Sequence, residues 1–134
     1  MVPNSLKTST IYTLREEDAD CYGHITNSRI PRYFDIARIN VQNATNLGDS
    51  GLREKGIGLL VVAASYTYRG QLFPEQTVMI DSELTNNKRG IWIDHKMRLE
   101  NRVVATAQTK HLFVDLKTGK AIKSKEAYAN DINY

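Results

Sequence analysis

Residues 30–44 carry the pattern that most restricts the fold. Ile30, Tyr33, Phe34, Ala37, Val41 and Ala44 recur at helical spacing, and Ile36 and Ile39 add apolar surface outside that stripe. A helix apolar on more than one side has to be wrapped, not merely leaned upon. Asn27 or Ser28 is a suitable N-cap. Pro31 then falls in the first turn, where its missing N–H costs little. Leu47-Gly48 offers a C-terminal stop.

The wrapping has to come from strands. Thr8 to Leu14 alternates with β-branched and aromatic residues. Leu59 to Tyr68 is continuously apolar or aromatic and reads as a long strand buried on both faces for much of its length. Asp49 to Gly58, before it, reads as a turn-rich connection. Val78, Ile80, Ser82 and Leu84 alternate with polar neighbours, and Ile91, Ile93, His95, Met97 and Leu99 share the next inward face. Asn86 to Gly90 is a turn and Glu100-Asn101 a tight hairpin loop. Val103 to Asp115 is the last long strand, closed by Lys117-Thr118-Gly119-Lys120. One strand, one long helix, then four antiparallel strands is an α+β order. A curved antiparallel sheet wrapped around one long central helix satisfies it. The 134 residues form one domain, 1–134, with residues 1–7 and about 121–134 peripheral.

Composition excludes several classes. A net charge of +3 is too modest for a dedicated nucleic-acid arm. Tyr66, Tyr68 and Arg69 as a single-strand stacking surface is therefore the weakest reading. Cys21 is the single cysteine, which rules out an internal disulfide framework and a cysteine-based zinc site. His95 and His111 sit on apolar strand faces as hydrogen-bonded core histidines, and no third ligand at sensible spacing suggests a metal. No apolar run reaches the length of a membrane span, and the N-terminus has no signal-peptide core. The expected location is cytoplasmic.

Chemistry concentrates between Asp18 and Asn27. A polar loop with Asp20, Gly23, His24 and Asn27 runs directly into the helix. Free N–H groups at a helix start stabilise negative charge. A carboxylate beside them could attack, or activate water against, a carbonyl that they polarise. The plainer reading is that Asp20 only caps a turn and that Asn27 is only an N-cap.

Asp20-x-x-Gly23-His24-Ile25-x-Asn27, followed by Arg32-Tyr33-Phe34-Asp35-x-Ala37-Arg38, resembles the signature of hotdog-fold acyl-CoA thioesterases of the 4-hydroxybenzoyl-CoA thioesterase type. Asp18-x-Asp20-x-x-x-His24-Ile25-x-Asn27 also resembles a segment of plant acyl-carrier-protein thioesterases. The match covers Leu14 to Arg38, with departures at Thr26, Ile30 and Pro31.

The resemblance implies a single hotdog domain and an acyl-CoA thioesterase. Asp20 is its nucleophile or general base, Asn27 marks the oxyanion-binding amides and Gly23 permits the tight backbone path. His24 either orients the loop, the favoured role, or serves as an acid/base partner; a Cys21–His24 pairing is a weak alternative. Ser65, Tyr66, Tyr68 and Arg69, at the end of the strand after the helix, are second-tier substrate-binding candidates. The resemblance also implies a homodimer or homotetramer with the site between subunits. No cofactor is expected beyond the coenzyme A of the substrate, and no metal, nucleic-acid or membrane partner. Lys88-Arg89 and Lys117, Lys120, Lys123 and Lys125 are candidate phosphate contacts. The alternatives are a non-catalytic acyl-CoA-binding hotdog protein, an acyl-carrier-protein thioesterase, and an enoyl-CoA hydratase or dehydratase.

Overall fold

The computed structural model describes residues 5–45, 49–87 and 90–122. Strand β1 (Ser5–Thr13) leads through two short 3-10 turns, Glu16–Asp18 and Asn27–Arg29, into helix α1 (Ile30–Asn43). A second helix, α2 (Asp49–Glu54), precedes strands β2 (Ile57–Tyr68), β3 (Thr77–Asn87), β4 (Gly90–Leu99), β5 (Arg102–Asp115) and the two-residue β6 (Ala121–Ile122). The strands form one antiparallel sheet in the order β1-β3-β4-β5-β2, with β6 added to β5. Helix α1 lies against its concave face: the hotdog arrangement.

The helical stripe is buried as far as Val41, while Ala44, expected to continue it, is the exposed C-cap and Ile39 is left 42% exposed. Ile30, Tyr33, Phe34, Ala37 and Val41 are all buried, and each large side chain so removed from water contributes roughly 1.5–3 kcal/mol. Two apolar clusters result. One gathers Phe34 and Ile30 with Ile80, Met97 and Ala105. The other gathers Val41 with Leu52, Leu84, Ile93 and Phe113. Buried polar side chains also line the sheet's inner face. Ser82 Oγ is 2.6 Å from His95 Nδ1, and Thr109 Oγ1 is 2.8 Å from His111 Nε2. Burial pushes both imidazoles down to about 4, reinforced by the positive Arg38 overhead, so both are neutral at pH 7.

Four expectations are corrected. The α-helix proper begins at Ile30, because Asn27–Arg29 take the tighter 3-10 path. Thr26 and Arg29 therefore hold the two cap positions, neither with a side-chain cap bond. The stretch after the helix is not all turn: α2 forms there and anchors itself through buried Leu52. Ser5–Lys7, expected to be peripheral, belong to β1. The fourth correction is the largest. Strand β2 is exposed from Leu60 to Ser65, with Leu60 50%, Val61 42% and Val62 49% accessible. It is an edge strand bonded only to β5 among the described residues, with a bulge between Val61 and Ala63. The Leu47-Gly48 stop, Lys88-Arg89, and Lys123 and Lys125 lie outside the described residues.

Candidate active site

The loop between β1 and α1 is a small closed hairpin. The Asp18 carbonyl accepts the Thr26 amide (3.0 Å), Ala19 bridges Ile25, and the Asp20 amide donates to the His24 carbonyl (2.7 Å). Cys21-Tyr22-Gly23 makes the tip. Gly23 sits at φ +83°, a left-handed conformation that glycine adopts without steric cost. Two anchors fix the loop to the body. The buried Asp18 carboxylate accepts the Tyr33 hydroxyl at 2.8 Å, and the Ile25 amide donates to the Leu72 carbonyl at 2.8 Å. Burial, then the Asp18 carboxylate, hold the Tyr33 phenol strongly protonated.

Asp20 occupies the mouth of this hairpin. Its Oδ1 accepts the amides of Tyr22 (2.9 Å) and His24 (3.1 Å). Its Oδ2 has no partner among the described residues. The turn-capping role and a free carboxylate oxygen thus coexist in one side chain. The nearby helical start has matching donors. The Arg29 amide bonds Thr26 and the Ile30 amide bonds Asn27, which leaves the Asn27 and Ser28 amides without hydrogen-bond partners among the described residues. Asp20, His24, Thr26 and Asn27 share a cavity of about 310 Å³ with Gly70, Gln71 and Leu72 across from them.

The other candidates divide. His24 is half-buried and packs its ring edge-on against Phe73, centroids 4.9 Å apart; that contact suits an orienting role. Tyr68 Oη approaches the Asn27 carbonyl at 3.5 Å, so the end of β2 does reach the loop. Tyr66 packs on Phe34 (6.0 Å), and burial raises its phenol, with Asp35 adding to the effect. Arg69 is exposed and its backbone amide bonds Val104 (2.8 Å). Ser65 lines a different depression, with Thr67, Thr106 and Gln108, because side chains alternate along a strand. Cys21 is exposed and free. His95 and His111 line no part of the Asp20 cavity.

Sequence reasoning did not single out Gln71, whose neighbours Gly70 and Leu72 form the opposite wall. The only available signal was the Gly70–Pro74 turn chemistry after β2. It also did not foresee the Tyr33–Asp18 bond, which joins the two motif halves across 15 residues.

A single long helix cradled by a curved antiparallel sheet, with a polar loop at the helix start, defines a hotdog protein. The chain belongs to the thioesterase-like superfamily, whose family model matches residues 14–131. No curated protein sequence matches it. Solved structures share the fold. A hypothetical protein from Aquifex aeolicus superposes with a TM-score of 0.81 at 23% identity, covering 92% of this chain and 98% of that one. A DHNA-CoA thioesterase from Staphylococcus aureus gives 0.81 at 17% identity, covering 92% and 89%. A probable thioesterase from Escherichia coli gives 0.77 at 24% identity, covering 93% and 98%. At such identities the likeness concerns the fold. Among the described residues, no helix is long and apolar enough to cross a membrane, and no cluster of metal-ligating side chains occurs.

Proposed function

We propose that this protein hydrolyses acyl-CoA thioesters to a free acid and coenzyme A. Asp20 Oδ2 attacks the thioester carbon and expels the coenzyme A thiolate, leaving an acyl anhydride that water cleaves, or it takes a proton from a water that attacks instead, the C–S bond breaking as the tetrahedral intermediate collapses. The unpartnered amides of Asn27 and Ser28 receive the developing oxyanion. The reading is carried by one observation: a carboxylate with one oxygen tied and one free lines the same cavity as Asn27, the first of those two residues. Gly23 and His24 hold the loop in shape, and Tyr66, Tyr68 and Arg69 stand toward the acyl group and its carrier. Family membership supports thioester chemistry, and the DHNA-CoA thioesterase among the fold neighbours makes aromatic acyl groups a first choice to test.

The active unit is a homodimer paired through β2. That strand carries no charged residue from Ile57 to Tyr68 and presents apolar side chains and unpaired backbone groups together. Pairing two copies there brings the ends of both β2 strands into one assembly.

The test is thiol release from a panel of aromatic and aliphatic acyl-CoAs by the wild type and Asp20→Asn. The amide oxygen of Asn can still accept the Tyr22 and His24 amides, so the loop survives while the negative charge is lost. Loss of at least a hundredfold in kcat is expected, about 3 kcal/mol of transition-state stabilisation. Wild-type turnover by Asp20→Asn overturns the mechanism. A second reading, an acyl-CoA-binding protein without turnover, draws on the same Asp20 bonds, since they suffice to cap the loop. It predicts saturable acyl-CoA binding, no thiol release, and indifference to the substitution.

A further inference from the structure

Behind the site loop lies a second cavity, of about 450 Å³. Arg15 enters it from the end of β1, and Arg29 and Arg32 enter from one flank of the helix start, spaced by three residues. Tyr12 and Ile36 supply an apolar wall.

The two acids of this cavity already hold partners. Glu17 Oε1 takes the Arg15 guanidinium at 3.0 Å. Asp18 is buried and accepts the Tyr33 hydroxyl, and its other oxygen stands 4.0 Å from Arg29 Nε, beyond hydrogen-bond distance. Arg32 has no ion-pair or hydrogen-bond partner among the described residues. Three guanidiniums against two carboxylates leave one net positive charge; Arg29 makes only the long ion pair to Asp18, and the Arg32 fork is free of partners among the described residues. Guanidinium forks match phosphate oxygens in a planar, bidentate geometry. The volume lies in the range of small-ligand sites and exceeds what a lone phosphate fills. Tyr12, packed on Tyr33 at 5.1 Å, supplies an aromatic ring to the lining.

We propose that this cavity binds the phosphates of an adenine nucleotide, Arg29 and Arg32 holding the phosphate oxygens and Tyr12 the base. If the thioesterase reading holds, the natural occupant is the phosphorylated nucleotide end of coenzyme A, its pantetheine arm running around the loop to Asp20. The placement fits: Asp18 lies two residues before Asp20, and Arg29 lies two residues after Asn27. The two cavities share no lining residue, but Asp18 and Arg29 of the one stand close in the chain to Asp20 and Asn27 of the other. A free nucleotide has the same chemistry and would bind as an effector.

The binding test is independent of turnover. Adenosine 3′,5′-bisphosphate is titrated into the wild type, Arg32→Ala and Arg29→Ala by calorimetry, with circular dichroism confirming that each variant is folded. Saturable binding that weakens about tenfold in each variant is expected, one charge-assisted bond each. Equal binding by all three proteins, or none by the wild type, overturns the proposal even if thioesters are hydrolysed. Conversely, a protein that hydrolyses no thioester but shows the tenfold loss retains the nucleotide site. Kinetics then assign the occupant. A tenfold rise in KM for acyl-CoA in Arg32→Ala, with acyl-pantetheine turnover unchanged, identifies the coenzyme A nucleotide. Weakened bisphosphate binding with unchanged KM for acyl-CoA identifies a separate effector.

Discussion

The two edges of the sheet meet the same hazard in opposite ways. Each presents a row of backbone groups with no neighbour, a template for adventitious pairing. At β1 the outward row is Ser5, Lys7, Ser9, Ile11 and Thr13, mostly polar and carrying a lysine. Ser9 donates to Asp81 at 2.9 Å, and Asp81 accepts Arg98 at 2.6 Å, so polar links tie this edge to β3 and β4. At β2 the exposed run from Leu60 to Ala64 has no charge at all. A monomer gains nothing from that arrangement. The contrast supports the proposed pairing: β1 is polar enough to stay in water, and β2 is the edge on which a second copy is proposed to lie.

The strongest way to break the contrast is to charge both edges equally. Val61→Lys with Val62→Lys should raise the dimer dissociation constant at least a hundredfold, since each buried unpaired ammonium costs about 3 kcal/mol or more. Ile11→Lys on β1, at a residue 67% exposed, should leave the assembly unchanged. Analytical ultracentrifugation reads both, and a monomer–dimer equilibrium that ignores the β2 lysines removes the proposed pairing.

Acid sharpens the contrast less severely. His111 lies opposite Val61 on the strand that carries β2, and it and His95 are held neutral by burial. Their folded values, about 4, lie below the ordinary 6.5, so the unfolded chain binds more protons between those two pH values. The stability they confer is complete above about pH 6.5 and drains away as pH falls toward 4, by up to about 3 kcal/mol for each histidine. Amide exchange should therefore quicken in β2 and β5 before β1 across that window. Loss at β1 first would contradict the assignment.

The smallest effect is expected at the β1 side itself. Arg98 and Asp81 are about a third exposed, and the guanidinium, with Ser9, holds the Asp81 carboxyl below its usual value. That contribution is present at neutral pH and lost as pH falls below the ordinary carboxylate range. Arg98→Ala should cost less than about 1 kcal/mol in chemical denaturation and leave the oligomer intact.

These same regions show what a sequence can and cannot reveal. The stripe Ile30–Val41 and the inward rows Val78–Leu84 and Ile91–Met97 were legible because each has its own period, and all of those positions are buried. The Asp20–Asn27 loop was legible because its residues act on near neighbours. The run Leu59–Tyr68 misled, because hydrophobicity states that a strand will be covered and not by whom. Its partner, β5, lies from 37 residues on (Tyr68 to Ala105) to 58 (Ile57 to Asp115), beyond any local pattern. Helix α2 hid because a single anchor, Leu52, leaves no periodicity to detect. Ser65 was grouped with Tyr66 and Tyr68 by adjacency, where alternation sends it to the other face. The arginine cavity was invisible for a related reason: Arg15 joins Arg29 and Arg32 only once the hairpin folds back.

The divided labour of the Asp20 carboxylate has one more consequence. The tied oxygen is an architectural part, and an amide could replace it with no change in loop shape. The free oxygen is where the proposed chemistry resides. A lineage could therefore silence the enzyme by exchanging one terminal atom, keep every fold contact, and be left with a vessel that holds its cargo without opening it.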